Sequence, residues 1–248
     1  MLILAVDTSA RTGSIAVLRD QSVLGQIVNR SDLPYSSSFF GDLDDLLAQM
    51  DVSIHEFDLF AVGNGPGSFT GLRVGLTAVK AWSEVFSKPV VEVSCLQALA
   101  LKVPQSPLLA NGTLLAPVLD ARRGQVYGCV YRWLATSQTL EPITDELVVT
   151  CDEFVGLVRD RMPSAPILQD EKIEPALIFV SPASELIRPA IERFGLGWVP
   201  VQEGSGFLAS EIGRLGYAKA LRGEVVDAVA LDANYVRRPD AERNWKGK

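Results

Sequence analysis

Histidine is nearly absent from this sequence: His55 is the only one in 248 residues. A lone imidazole cannot furnish a two-histidine metal site. No G-x-S-x-G elbow accompanies it, so nothing else supports a Ser-His-Asp hydrolase. His55 precedes an apolar run and reads as a surface loop residue. Cysteine is scarce too. Cys95, Cys129 and Cys151 lie far apart with no CxxC spacing, which argues against a disulfide framework and fits small buried apolar residues in a reducing compartment. Basic charge is in deficit, with 23 Lys and Arg against 30 Asp and Glu. A net charge of −7 excludes nucleic-acid binding by bulk electrostatics alone. Long apolar runs are also missing: none approaches the ~20 residues of a bilayer span. The opening MLILAVDTS has no basic region before its apolar run, which stops at Asp7, too short for a signal peptide. A cytoplasmic protein with no membrane partner is expected.

What is present suffices for a substantial core, since 48% of residues are hydrophobic. Three short apolar runs, Leu2 to Val6, Ser14 to Leu18 and Val23 to Val28, are separated by tight polar turns and predict a meander. Ser36, Ser37 and Ser38 then offer N-caps to a helix over residues 39–50, with Asp42, Asp44 and Asp45 in its early turns. A strand at 59–62, a glycine loop, a helix over 70–86, a strand at 89–93 and a helix from 96 follow. The second half repeats the opening. ILAVDTSARTGSIAVL and LAPVLDARRGQVYGCV both run strand, Asp, Gly-containing turn, strand, which points to an internal duplication. PQSPLLANGTL, residues 104–114, reads as a linker. Beyond Pro142 the pattern weakens to a helix at 152–161, a strand at 176–180 and a helix at 184–194. Residues 207–221 read as an amphipathic helix ended by Gly223 and are expected to pack back on the first lobe. The polar, basic end, 237–248, with Arg237, Arg238, Arg243, Lys246 and Lys248, is expected to be partly disordered.

The stretch VGNGPGSFTGLRVGLTAVKAW, residues 62–82, has the look of a phosphate-gripping loop feeding a helix. Pro66-Gly67 is a turn signal, with glycine accepting positive φ, and Ser68 and Thr70 are candidate caps. Free N–H groups at such a helix start suit an anion. As a P-loop it fails, because Gly71 is followed by Leu72 and Arg73 instead of Lys and Ser/Thr. As a dinucleotide fingerprint the glycines at 63, 65, 67 and 71 are misspaced, and Glu92 sits mid-strand. On a helical wheel only Arg73, Thr77, Lys80 and Glu84 form a polar stripe, and the rest exceeds the ~100° apolar arc a surface helix needs. Gly67, Gly71 and Gly75, with Ala78 nearby, are notches that would let another helix come close. The excess is covered either by this chain or by a partner. Asp7 and Asp120 each end a strand before a tight turn, where a carboxylate either caps the turn or holds a phosphate-bound metal. Arg122 and Arg123 are phosphate ligands or solvated turn residues.

Taken together, GPGSFTGLRVGLTAVKAW, ILAVDTS, DARRGQVY and NYVRRP, in this order along nearly the whole chain, resemble the TsaB (YeaZ) family. The resemblance implies an α/β, two-lobed actin/Hsp70/sugar-kinase-like (ASKHA) fold with duplicated ribonuclease-H-like lobes. The first lobe is then expected at 1–103, completed by a C-terminal helix at about 207–222, and the second at 104–206. It implies no enzyme but an accessory subunit of TsaD, which makes N6-threonylcarbamoyladenosine (t6A) at adenosine 37 of tRNAs reading codons that begin with A. TsaE, an ATPase, joins the assembly, and tRNA is met only through the complex. ATP and metal are expected on TsaD and TsaE, with no cofactor, metal or catalytic residue required here. Pairing with TsaD, or with a second copy in a homodimer, is expected through the helices at 39–50 and 70–86. The expected contacts are Phe39, Leu43, Leu46, Leu47, Gly71, Leu72, Gly75, Leu76, Ala78, Val79 and Trp82. Asp7, Thr8, Ser9, Asp120 and Arg122 remain candidate nucleotide or phosphate ligands. The family often shows His-Ser-Glu before its first helix, and here Tyr35 to Ser38 fill that place, keeping the cap without the histidine. The alternatives are an ATP-dependent small-molecule kinase of the same superfold and an inactive peptidase-like homologue.

Overall fold

The computed structural model describes residues 1–10, 12–29, 35–103, 109–162 and 176–237. It divides into two compact units, residues 1–98 with the chain from 206 onward, and residues 99–205. Residues 104–108 of the expected linker, and the basic end from 238, lie outside the described residues.

In the first unit the meander forms β1 (Leu2–Asp7), β2 (Ser14–Arg19) and β3 (Ser22–Val28). After α1 (Phe39–Met50) come β4 (Leu59–Gly65), α2 (Phe69–Phe86), β5 (Val90–Ser94) and α3 (Cys95–Ala100). The sheet order is β3-β2-β1-β4-β5. β1 is antiparallel to β2 and parallel to β4, and β4 is parallel to β5. Both faces of the central strands are buried, which explains their unbroken apolar runs. Alternate residues Leu4, Val6, Ile15, Val17, Phe60 and Val62 join the core with Phe39, Leu43 and Leu46 of α1 and Leu72, Leu76 and Val79 of α2. The opposite face meets a late helix of this unit (residues 209–221), whose Gly213 and Gly216 let it settle onto Leu18 and Ala61.

In the second unit β6 (Leu114–Arg122) and β7 (Gln125–Gly128) form the second strand–turn–strand unit. A hairpin of β8 (Tyr131–Leu134) and β9 (Thr139–Pro142) follows, then β10 (Leu147–Thr150), α4 (Cys151–Arg159), β11 (Leu177–Ser181), α5 (Ser184–Arg193) and β12 (Val201–Glu203). The order β10-β7-β6-β11-β12 repeats that of the first sheet. So do the strand senses: β6–β7 and β7–β10 are antiparallel, β6–β11 and β11–β12 parallel. The duplication is therefore structural, and the β8–β9 hairpin, paired to β6 at Leu114 and Leu115, is an insertion the first unit lacks. Phe154, Phe179, Ile187 and Ile191 lie at the centre of this unit's core. The chain returns to the first unit as α6 (Ala209–Leu221), stopped by Gly223 at φ 75°.

Candidate protein-docking surface

The candidate phosphate ligands of the first unit, Asp7, Thr8 and Ser9, follow one another at the end of β1. Asp7 is fully buried. Its Oδ1 accepts bonds from the Ser9 amide at 2.9 Å and the Ser9 hydroxyl at 2.6 Å. Its Oδ2 accepts from the Leu208 amide at 3.3 Å, tying the β1–β2 turn to the start of α6. Both carboxylate oxygens thus have partners within the chain. Thr8 and Ser9 are buried beside it. Asp120 stands differently, with its side chain 31% exposed. It accepts a bond from the Arg122 amide at 2.7 Å and pairs with the Arg122 guanidinium at 3.2 Å. Arg122, Arg123 and Gly124 take φ of 64°, 58° and 72° through this turn. Among the described residues no group of three or more His, Cys, Asp and Glu could hold a metal ion.

The glycine ladder does not face a partner. A Cβ on Gly67 would strike Ser9 O, one on Gly71 would strike Thr8 O, and one on Gly75 would strike Thr8 Oγ1. These notches let α2 lie on the turn after β1 in its own chain. The positive φ expected at Gly67 belongs to Gly65, at 125°. Ser68 does cap α2, accepting from the Gly71 amide at 3.3 Å. Ser38 does not cap α1. Its hydroxyl accepts from Asn29 Nδ2 at 2.7 Å and donates to Asp42 at 3.3 Å.

The expected contact residues divide by burial. Phe39, Leu43, Leu46, Leu72, Gly75, Leu76, Ala78 and Val79 are buried within the unit, where sheet and helix side chains already surround them. Gly71, Leu47 and Trp82 are half-buried, and Trp82 stacks on Phe39 with ring centroids 6.2 Å apart. These side chains therefore lie beneath the outward faces of the two helices rather than on them. The apolar excess of α2 is covered by this chain, so Leu72→Asp or Gly75→Leu would attack the fold before any interface.

What the helices turn outward is different. On α2 it is Thr70, Arg73, Thr77, Ala81, Glu84 and Val85, the last 73% exposed. On α1 it is Phe40, 56% exposed, with Asp44, Asp45, Ala48 and Gln49. The Phe39–Trp82 stack ties the start of α1 to the C-terminal half of α2. The polar stripe on the wheel marked the outward side of α2 correctly. Phe40 and Val85 were missed, although both interrupt the polar side of their helices.

A strap after α6 completes the surface. Val226 bridges to Val90 at the β5 edge, and Leu231 is wholly buried in the core. The Asp232 amide donates to Glu92 Oε1 at 2.7 Å and the Asn234 amide to Asn64 O at 2.8 Å. Gly65 leaves room for Asn234 O, which a Cβ would meet at 2.7 Å. Tyr235 packs against Phe69 with ring centroids 4.9 Å apart and planes tilted by 34°. The NY of NYVRRP therefore lies on the glycine loop, two distant motifs forming one structure.

Two units with the same five-stranded order and mixed strand senses define the class: a two-lobed, ASKHA-like protein built from duplicated ribonuclease-H-like lobes. Residues 36–198 match the family profile described as TsaD, tRNA N6-adenosine threonylcarbamoyltransferase, and the chain belongs to that family. It is 29% identical over 251 residues to the tRNA threonylcarbamoyladenosine biosynthesis protein TsaB of Bacillus subtilis, covering 99% of this chain and 98% of that one. It is 30% identical over 133 residues to the TsaB of Escherichia coli, covering 53% of this chain and 55% of that one. The crystal structure of YeaZ from Pseudomonas aeruginosa superposes with a TM-score of 0.69 at 21% identity, over 94% of this chain and 99% of that one, which shows the shared fold.

Proposed function

We propose that this chain is the non-catalytic partner of TsaD in making t6A at adenosine 37 of tRNA, and that it docks through the outward faces of α1 and α2. The observation that carries this reading is the end-to-end match to a protein named for threonylcarbamoyladenosine biosynthesis. The surroundings of Asp7 are consistent with a structural role in this reading, because the buried carboxylate ties the turn after β1 to the start of α6. In this reading ATP and metal belong to TsaD and TsaE, TsaE joins the pair, and tRNA is reached through the complex. A second copy uses the same face when TsaD is absent, and the assembly works in the cytoplasm.

The test is co-purification with TsaD from the same cell, followed by a tRNA modification assay with and without this chain. A stable complex burying about 1,200–2,000 Å² in total is expected, with t6A formation lost when the chain is withheld. Modification that proceeds at full rate without it overturns the reading. Phe40→Asp and Val85→Asp serve to locate the face. Both side chains are largely exposed, so each variant should keep the wild-type circular dichroism spectrum while losing the complex on size-exclusion chromatography. An unchanged elution profile would move the docking face elsewhere.

A further inference from the structure

Arg73 is the most constrained exposed cation on the outward face of α2. Its guanidinium carbon lies 3.8 Å from the centroid of the Phe69 ring one turn earlier. Tyr235, from the strap, packs at a 34° tilt against the same ring with centroids 4.9 Å apart, and Arg73 Nε donates to the Tyr235 hydroxyl at 3.3 Å. Arg73 forms no ion pair among the described residues. A flexible, exposed cation is thus held by the face of one aromatic ring and the hydroxyl of another, and its terminal nitrogens have no hydrogen-bond partner among the described residues. The strap that holds it is itself anchored, by the Asn234 amide on Asn64 O and by buried Leu231.

Building a fixed, unpaired guanidinium on an exposed helix face has one physical consequence. The ordering cost of an arginine is met before any encounter, so a planar anion can be gripped by both terminal nitrogens with little further loss of freedom. Lys80 follows seven residues later on the same helix without an ion pair, so the stripe stays positive for two turns until Glu84. Arginine and tyrosine are also the residue types enriched among interface anchors.

We propose that the Phe69–Arg73–Tyr235 cluster is the specificity anchor of the docking face, and that Arg73 takes a carboxylate on the TsaD subunit. This rests on the function proposed above. It makes the C-terminal strap part of the interface, so TsaD recognises two segments more than 140 residues apart in sequence only when the strap is seated.

Calorimetric titration of purified TsaD into the intact chain tests this. Arg73→Gln should weaken binding by about thirtyfold, the loss that marks a hot spot. It should also flatten the salt dependence of the affinity. Arg73→Lys should fall between, keeping charge but losing the fork. Tyr235→Ala should weaken binding with Arg73 intact, and Tyr235→Phe less so, a graded pattern that no simple charge effect produces. Circular dichroism melts confirm that each variant is folded, and a failure of Arg73→Gln to fold leaves the Arg73→Lys and Tyr235→Phe titrations to decide. Affinities within twofold of wild type across the series overturn the proposal. So does Arg73→Gln weakening tRNA binding to the complex while leaving TsaD affinity unchanged, since the anion would then be a phosphate. Wild-type chain that does not bind TsaD at all instead overturns the function on which the proposal rests.

Discussion

Tyr35 shows how little a residue's type says about its surroundings. It opens the short stretch before α1, where nothing in the sequence marks it as buried. The residue is buried, packs edge-on to Phe39 at 5.7 Å and covers Gly13. Its hydroxyl has no hydrogen-bond partner. Burial, then the charges of Asp42 and Asp7, push its ionisation well above the ordinary 10.0. The sign follows from linkage. Above pH 10 the unfolded chain releases this proton while the folded chain keeps it, so stability falls as pH rises. Tyr35→Phe should therefore remove part of the alkaline loss of stability. At pH 7 it should be neutral or stabilising by up to about 1 kcal/mol, because an unsatisfied buried hydroxyl is deleted. Urea melts at pH 7 and above pH 10 would show both effects, and a variant less stable than wild type at pH 7 would mean that the hydroxyl has a partner after all. The glycines teach the same lesson. A repeat of small residues on a helix reports that something approaches closely, but not what. In α2 the approaching group is Thr8, by its carbonyl at Gly71 and its hydroxyl at Gly75.

At the scale of elements, periodicity located nearly everything with local character. α1 was expected at 39–50 and is found there, α2 begins one residue before its expected start, and β11 and α6 fall within two residues of theirs. What escaped were β8, β9 and β10, four residues each, and β12, three residues. Strands that short carry too few alternations to register, and their pairing is set by tertiary contact. The strap escaped for another reason: its order comes from bonds to Asn64 and Glu92 and from one buried leucine, with no repeating pattern at all. That dependence is testable. Leu231→Ala removes its only wholly buried apolar side chain and should cost about 2–4 kcal/mol by the usual transfer and cavity terms. Hydrogen exchange should localise the damage. The Val90 and Val226 amides, which bond each other's carbonyls at 3.0 and 2.8 Å, should lose protection, while β1 and β2 keep theirs. Uniform loss across the first sheet would show that the strap and sheet open as one unit.

For the whole molecule, chain order and structural unit disagree, and the disagreement makes a prediction. The second unit is one continuous segment with its own core around Phe154, Phe179 and Ile187. The first is not continuous. Its sheet is covered on one side by α1 and α2, but on the other by α6, which arrives only after residue 205. Without α6, the face carrying Leu18 and Ala61 would lie open, and the Asp7 carboxylate would lose the Leu208 amide. Both are costs the remaining contacts must absorb, and a net stability of only about 5–15 kcal/mol leaves little room. A chain ending at residue 103 should therefore fail to reach a native state, giving collapsed NMR amide dispersion and exposed apolar surface. Residues 99–205 alone should fold cooperatively. Joining residues 1–98 to 206–248 through a short glycine-rich linker should restore the first unit and, with it, the docking face of α1, α2 and the strap. If the 1–103 chain folds and melts like the joined one, then α6 only decorates a sheet that is stable without it, and the two glycines through which it settles could be filled at no cost to the fold.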